Sequence, residues 1–95
     1  GQVTHTKIML TNFDETAFQY GLGIIQKLRV SGINAEIYPD SVKLKKQLDY
    51  ADRKNIPFVV LIGSEEMTSS LLTLKNMKTG EQSKITIDEI IETIA

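Results

Sequence analysis

The densest charge in the sequence lies between Lys43 and Lys54. Five basic and two acidic side chains give this segment a local charge of +3, whereas the whole chain has a formal net charge of -1. The basic members stand at its two ends: Lys43, Lys45, Lys46, Arg53 and Lys54. Lysines at a helix N-terminus are mildly disfavoured by the helix dipole, so helix stability does not explain the first three. Binding of phosphate groups would explain them, and the alternative is a solvated helix face, the usual origin of a charge run.

Three aromatic residues, Phe13, Tyr38 and Tyr50, could offer ring faces to unpaired bases, which proteins commonly recognise by stacking. The usual role of an aromatic side chain is core packing. Tyr38 is the best candidate for base stacking, because the alternating apolar residues of segment 33–37 take the other face of its strand and leave it at the rim.

Enzymatic chemistry finds little support in these residue types. Glu65 and Glu66 follow an apolar run, but no nucleophile, metal partner or leaving-group site accompanies them, so they are interpreted as exposed loop acids. A loop acid of this kind can accept hydrogen bonds from the amino edge of a base. With no cysteine and one histidine, His5, there is no thiolate metal site or histidine cluster, and we predict neither catalytic nor metal-binding residues.

Length and composition predict a single soluble domain. The 95 residues are 41% hydrophobic and 24% charged, and a domain of this size has little apolar material for a deep cavity, which favours binding on a face. The longest apolar run, 58–62, is far shorter than the ~20 residues that cross a bilayer. We therefore expect no membrane segment and a cytoplasmic location, with residues 1–6 as a disordered tail or linker remnant and residues 7–95 as the domain.

Hydrophobic periodicity divides the domain into strands and helices. The predicted strands cover residues 7–12, 33–38, 58–62, 71–77 and 82–87, and the predicted helices begin near Asp14, Ser41 and Thr86, with one further helical turn in 64–70. Thr86 and Glu89 form a capping-box pattern at the last helix. Gly21 and Gly23 inside the first helix suggest close packing against a sheet.

This order predicts an α/β fold with a mixed five-stranded sheet flanked by helices. Helical crossovers make the first three strands parallel, and the β-branched run 58–62 belongs at the sheet centre. In such open sheets ligands bind beyond the carboxyl ends of the strands. That rim contains residues 12–13, 38–40 and 63–66.

Several segments together resemble the C-terminal domain of the histidyl-tRNA synthetase family. The resemblance covers residues 7–95 and rests on the order and spacing of segments 38–40, 43–52, 56–58, 63–66, 74–77 and 79–82. It implies the three-layer anticodon-binding fold of the class IIa aminoacyl-tRNA synthetases, which grips the anticodon stem-loop of a tRNA. The acid of the Gly-x-x-Glu pattern maps to Glu66 and a basic position on the following strand to Lys75.

The same resemblance assigns the remaining site residues. The basic helix of the family matches Lys45, Lys46 and Gln47, next to Lys43, and the end of the preceding strand matches Tyr38 and Pro39. These residues are thereby implied to contact the anticodon arm.

The resemblance also implies what the chain lacks. The parent enzyme, which ligates histidine to tRNA with ATP and Mg, carries these cofactors on a separate catalytic domain, and none of that domain's motifs is present here. The isolated chain is therefore expected to be no enzyme and to need no cofactor. Its expected partners are tRNA and the catalytic domain of the parent enzyme. The parent enzyme is expected to be a homodimer. Two alternatives stay open: the corresponding domain of a prolyl, threonyl or glycyl enzyme, and a non-catalytic interaction module of the same fold.

Overall fold

A computed structural model describes residues 5–95. The elements in chain order are β1 (Ile8–Leu10), α1 (Glu15–Val30), β2 (Ala35–Ile37), α2 (Leu44–Arg53), β3 (Phe58–Leu61), α3 (Ser64–Ser69), β4 (Leu72–Asn76), β5 (Gln82–Ile85) and α4 (Ile87–Ile94). The predicted order of strands and helices is confirmed. Within the described residues no helix is both long and apolar enough to cross a membrane.

The five strands form one mixed sheet in the order β2-β1-β3-β4-β5. β1 lies between β2 and β3 and is parallel to both, while β4 is antiparallel to β3 and to β5. This confirms the expected parallel arrangement of the first three strands. All three residues of β1 are buried, because it has strands on both sides and helices on both faces.

Two apolar cores occupy the two faces of the sheet, which makes three layers. The larger core joins side chains of α1 and α4, such as Leu28 and Ile90, to Leu10 and Val60 on the sheet. The smaller core joins Ala51 of α2 to Met9, Ile56 and Val59 on the other face. The three-layer prediction is thus confirmed.

The face of the sheet that carries the smaller core is apolar near α2 and polar on β4 and β5. Thr73 and Lys75 alternate with the core residues of β4 and pair with Lys84 and Gln82 of β5. Lys84 and Gln82 are exposed and Lys75 is half-buried. We call Thr73, Lys75, Gln82 and Lys84 the open sheet face.

The glycine prediction for α1 is half right. A Cβ on Gly21 would lie 3.5 Å from Ile37 Cδ1 and 3.6 Å from Leu10 Cδ2, so this residue does pack closely on the sheet. A Cβ on Gly23 would meet nothing within 4 Å, so close packing does not explain this second glycine. Gly32 follows α1 with φ +80°, the left-handed backbone with which helices commonly end.

Two of the three predicted helix starts agree with the structure. Asp14 caps α1 by accepting a hydrogen bond from Ala17 N at 2.8 Å, and Thr86 and Glu89 make both bonds of the capping box of α4. α2 begins at Leu44 rather than near Ser41. The residues before it form a loop that makes hydrogen bonds with the side chains of Asn12 and Gln47.

The expected tail 1–6 is described only in part, because residues 1–4 lie outside the described range. His5 O accepts a hydrogen bond from Asn34 Nδ2 at 3.2 Å, and Thr6 Oγ1 donates one to Glu36 Oε2 at 2.9 Å. These two residues are therefore attached to the β2 region.

Candidate nucleic-acid interface

The start of α2 concentrates positive charge that other elements leave exposed. Lys43 is the N-cap residue and makes no capping hydrogen bond through its side chain, and the first turn contains no acidic residue. Lys43, Lys45 and Lys46, which we call the lysine cluster, are all exposed. The positive end of the helix dipole adds to their field, so the local potential favours an anion.

An ion pair compensates one member of the lysine cluster. Lys45 Nζ lies 3.0 Å from Asp49 Oδ2, one helical turn along α2, but the Lys45 side chain is 86% exposed. Such an exposed pair contributes about 0.3–0.5 kcal/mol and is readily exchanged for another anion. In residues 5–95 neither Lys43 nor Lys46 pairs with a carboxylate.

Gln47 differs from the other residues predicted to contact a ligand, because it is fully buried. Its Oε1 accepts a hydrogen bond from Asn12 N at 2.9 Å, and its Nε2 donates to Asn12 O at 2.7 Å and to Val42 O at 2.8 Å. These bonds use both donor hydrogens of the amide, so Gln47 has no donor hydrogen left for a ligand. Its sequence position beside the lysines gave no sign of this burial.

Tyr38 lies just after β2, at the carboxyl-end rim, and is partly buried. Its ring packs edge-on against Tyr50, with 5.4 Å between ring centroids, and its carbonyl accepts a hydrogen bond from Asn12 Nδ2 at 3.1 Å. Pro39, which follows it, is exposed. The rim position agrees with the sequence prediction, although part of the Tyr38 ring belongs to the smaller core.

Tyr50 is fixed by a second contact. Its hydroxyl donates a 2.8 Å hydrogen bond to Glu36 Oε1 on the edge strand β2. This bond, followed by burial and by the negative charge of Glu36, raises the pKa of Tyr50. The tyrosine therefore stays neutral at physiological pH and acts as a support for the ring of Tyr38.

Glu66 occupies the rim end of the open sheet face and is tied to three neighbours. Its Oε1 accepts a hydrogen bond from Gly63 N at 2.7 Å, and its Oε2 accepts one from Thr73 Oγ1 at 3.0 Å and lies 3.8 Å from Lys84 Nζ. Burial acts to raise the pKa of Glu66, but the hydrogen bonds from Gly63 and Thr73, with the charge of Lys84, outweigh it and leave the pKa lowered. The carboxylate is ionised and largely engaged by protein groups.

Lys75 lies on the open sheet face, further from the rim than Glu66. It pairs in register with Val59 on one side and Gln82 on the other, whereas Thr73, which contacts Glu66, pairs with Leu61. Thr73 and Lys75 are two residues apart on one strand, which corresponds to about 7 Å. The structure therefore places Glu66 and Lys75 on the same face at neighbouring levels.

The predicted residues divide into two patches rather than one. Tyr38 follows β2 and Lys75 lies on β4, with β1 and β3 between these strands. Three interstrand steps of ~4.8 Å separate the two patches by roughly 14 Å. The strand order β2-β1-β3-β4 therefore keeps Tyr38 apart from Glu66 and Lys75.

Lys84 is a further candidate that the sequence analysis missed. It contacts Glu65 Oε1 at 2.7 Å as well as Glu66, and its side chain remains 47% exposed. The hydrogen bond to Glu65 is the main cause of the raised pKa of Lys84. The alternation of Gln82 and Lys84 in the predicted last strand was the available signal, since it places both on one face.

No metal centre accompanies these patches: residues 5–95 contain no group of three His, Cys, Asp or Glu side chains arranged to hold an ion.

The molecule is thus a three-layer α/β domain with a cationic rim and an open polar sheet face. Residues 5–95 match the family model described as the anticodon binding domain. The chain belongs to this anticodon-binding domain family.

The relatives support the resemblance to histidyl-tRNA synthetases. The chain is 52% identical over 86 residues to a histidine–tRNA ligase of Cytophaga hutchinsonii. This alignment covers 90% of this chain and 19% of that protein. It is 48% identical over 92 residues to the histidine–tRNA ligase of Phocaeicola vulgatus, covering 97% of this chain and 20% of that protein. The chain therefore spans about a fifth of the length of these relatives.

Solved structures agree on the fold. The histidyl-tRNA synthetase of a Nostoc species superposes with a TM-score of 0.91 at 28% identity, over 96% of this chain and 22% of that one. The RNA-binding domain of the threonyl-tRNA synthetase of Cryptosporidium parvum superposes with a TM-score of 0.88 at 16% identity, over 96% and 23%. The second similarity concerns the fold alone.

Proposed function

We propose that this chain binds the anticodon stem-loop of a histidine tRNA, as the C-terminal domain of a histidine–tRNA ligase. The observation that carries the proposal is the lysine cluster: three exposed lysines at a helix start that has no acidic residue in its first turn, inside a domain of the anticodon-binding family. Phosphate oxygens are the anions that an RNA loop would bring to this position.

The two patches suit two different tasks. Phosphate contacts give affinity and set the position of the RNA, but every anticodon has the same backbone, so base identity must be read elsewhere. The open sheet face offers Lys75, Gln82 and Lys84 as donors, with Glu66 held at its edge as an acceptor. We propose that the lysine cluster, with Tyr38 and Pro39, holds the loop, and that Glu66 and Lys75 contact its bases.

The alternatives are less well supported. The relatives at 52% and 48% identity are named histidine–tRNA ligases, whereas the threonyl similarity, at 16% identity, extends only to the fold. A module that binds protein alone has no need of an exposed lysine cluster at an uncapped helix start, and here the cluster is present.

The remaining four fifths of such a ligase would carry the chemistry. We infer that amino-acid activation with ATP and Mg belongs to a catalytic domain outside this chain, in a homodimeric, cytoplasmic parent enzyme. Neither cofactor is assigned to residues of the anticodon-binding domain.

Binding of a labelled anticodon stem-loop at several salt concentrations tests the proposal. The triple variant Lys43→Ala, Lys45→Ala, Lys46→Ala should lower the slope of log affinity against log salt by roughly 0.7 for each phosphate that the protein no longer neutralises. The control removes the same charge from three exposed lysines outside the cluster, Lys7, Lys27 and Lys78.

The two triple variants separate a binding site from general electrostatics. The control should retain the slope of the unmodified chain, and a stem-loop with a scrambled loop should bind less tightly than the histidine anticodon. If both triple variants lower the slope equally, the lysine cluster is a solvated helix face and the proposed site is wrong.

A further inference from the structure

A buried pair of side-chain amides connects the rim of the sheet to the start of α2. Gln47 is fully buried and Asn12 is 4% exposed. Each amide bonds to backbone groups: Gln47 to both the N–H and the carbonyl of Asn12, and Asn12 Nδ2 to the carbonyl of Tyr38. The pair lies at the carboxyl end of β1, directly beneath the loop that precedes α2.

The two amides hold this loop at both of its ends. Asn12 binds the carbonyl of Tyr38, where the loop leaves β2, and Gln47 binds the carbonyl of Val42, just before α2. Between these points Ser41 Oγ donates a 3.0 Å hydrogen bond to Asn12 Oδ1. The loop therefore has three anchors on one pair of side chains.

A glutamine such as Gln47 is unusual on the face of a helix that packs against an apolar core. A methionine or leucine at position 47 would fill similar space without needing hydrogen bonds, and buried amides are tolerated only when their partners are in place. Here the partners fix one register of α2 on the sheet, because sliding or rotating the helix would break several bonds together. Every buried side-chain polar atom of the described residues has a hydrogen-bond partner.

We infer that Asn12 and Gln47 are positioning residues for RNA binding: they set where the lysine cluster and Tyr38 stand on the rim, without touching RNA themselves. This inference rests on the proposed function, since it explains how that site is kept in shape. Lys43 and Lys46 precede Gln47 within one turn at the start of α2, so a change in the position of that turn moves both ammonium groups.

The first test is a double-mutant cycle on stem-loop affinity. Gln47→Met removes three hydrogen bonds while keeping a side chain of similar length, and should weaken binding roughly tenfold at low salt, the equivalent of about 1.4 kcal/mol. In the background of the triple lysine variant the same substitution should change affinity less than about twofold, because Gln47 holds the end of the loop next to the lysines, whereas the carbonyl of Tyr38 is held by Asn12. Equal losses in both backgrounds would overturn the inference.

A matched control separates positioning from general destabilisation. Ile90→Val removes one methylene from the larger core, on the other face of the sheet, and typically costs 0.5–1.5 kcal/mol of stability. It should leave stem-loop affinity unchanged. If it weakens binding as much as Gln47→Met does, loss of stability explains both effects and the positioning role is wrong.

Hydrogen exchange tests, independently of RNA, whether Asn12 and Gln47 anchor the loop before α2. The amides of Val42, Lys46 and Gln47 donate to backbone carbonyls at the loop and the helix start. In Gln47→Met their exchange should accelerate at least about tenfold, relative to amides of α1, as expected for local opening. Unchanged exchange at these amides would refute the inference, whether or not the chain binds RNA. Failure of the unmodified chain to bind RNA is a different outcome, which would refute the proposed function.

A milder variant covers the case in which Gln47→Met does not fold. Ser41→Ala removes only the bond to Asn12 Oδ1, from an exposed residue of the loop. It should accelerate exchange at Val42 and weaken stem-loop binding by about twofold, the equivalent of about 0.4 kcal/mol. If neither quantity changes, the loop is not anchored through Asn12 as inferred.

Discussion

The carboxylate of Glu66 joins a helix start, a strand and a lysine on the next strand. It accepts hydrogen bonds from Gly63 N and Thr73 Oγ1, and Lys84 lies beside it. The first bond caps α3, the second holds α3 against β4, and both are strengthened by the negative charge. Any contact of Glu66 with a base therefore comes from an acid that the protein already holds in a fixed orientation.

These contacts predict how Glu66→Gln changes stability with pH. The pKa of Glu66 is lowered in the folded protein, so its contribution is complete above the unfolded pKa of about 4.5 and is lost as the pH falls through the folded value. At pH 7 the substitution should reduce the free energy of unfolding by about 1 kcal/mol, as for loss of a helix cap. Urea unfolding at pH 7 and below pH 4 measures this difference.

The expected result is a difference that shrinks towards zero at the lower pH. Glu65→Gln is the matched control, because Glu65 is exposed and, among residues 5–95, pairs with Lys84 alone. A pH-independent difference for Glu66→Gln would mean that shape rather than charge is lost. Equal effects of the two substitutions would contradict the special role of Glu66.

The same variant tests base reading. If Glu66 accepts a hydrogen bond from a base, Glu66→Gln should reduce the discrimination between matched and mismatched anticodon loops by about 1–3 kcal/mol, the value of a good base contact, and leave the salt slope unchanged. Parallel titrations of both loops measure it. Equal weakening of the two loops, or none, would make Glu66 a structural acid only.

Individual side chains were predictable only where their environment is local. Asp14 and Thr86 bond to residues three positions away, so the sequence contains both partners. Gln47 bonds to Asn12, thirty-five positions earlier, and nothing in the pattern around Gln47 reveals this partner. Contacts of the second kind decide which polar residues of a predicted site are free to bind a ligand.

Helix starts show the same contrast at the scale of elements. α4 has a capping box and two acids, Asp88 and Glu89, in its first turn, which complement the dipole. α2 has no side-chain cap and no acid there, and its position depends instead on Gln47. The start of α4 is therefore stabilised by residues of its own first turn. The start of α2 depends on distant residues, and its lysines are exposed to solvent.

The capping box of α4 gives a prediction for Thr86→Ala. The hydroxyl of Thr86 accepts a 3.2 Å bond from Glu89 N, and its loss typically costs about 1 kcal/mol. Because Ile90 and Ile94 of this helix belong to the larger core, the loss should appear in the global free energy of unfolding measured in urea. Glu92→Ala, an exposed change in the same helix, is the control and should stay within about 0.5 kcal/mol.

An effect of Thr86→Ala no larger than that of the control would show that packing of Ile90 and Ile94 alone holds α4.

Strands and helices were predictable because their periodicity is a property of the sequence itself. Strands β2 and β3 and the hairpin of β4 and β5 all lie inside the predicted segments, and each is shorter than predicted. The sheet order could not be obtained in this way. It depends on which strands share helices and cores, and this order is what separates Tyr38 from Lys75.

The whole molecule behaves as one packing unit. Its radius of gyration, 12.2 Å, agrees with the roughly 12 Å expected for a compact domain of this length. β1 contributes Ile8 and Leu10 to the larger core and Met9 to the smaller one, so neither core can open without disturbing the same strand. Cooperative unfolding of the isolated chain follows from this shared strand.

The last prediction concerns what this unit does alone. The ligases it resembles are about five times longer, and residues 5–95 match the anticodon-binding domain family, so binding and catalysis should separate when the domain is purified by itself. The chain should unfold in one transition, with fluorescence and circular dichroism giving coincident urea curves, and a saturating stem-loop should stabilise it. At a free concentration of 100 times Kd the gain is about 2.7 kcal/mol. In the same preparation, histidine-dependent exchange of pyrophosphate into ATP should equal that of a blank without protein. Exchange above the blank that persists in the triple lysine variant would place catalytic groups in this chain and contradict the division of labour proposed for it.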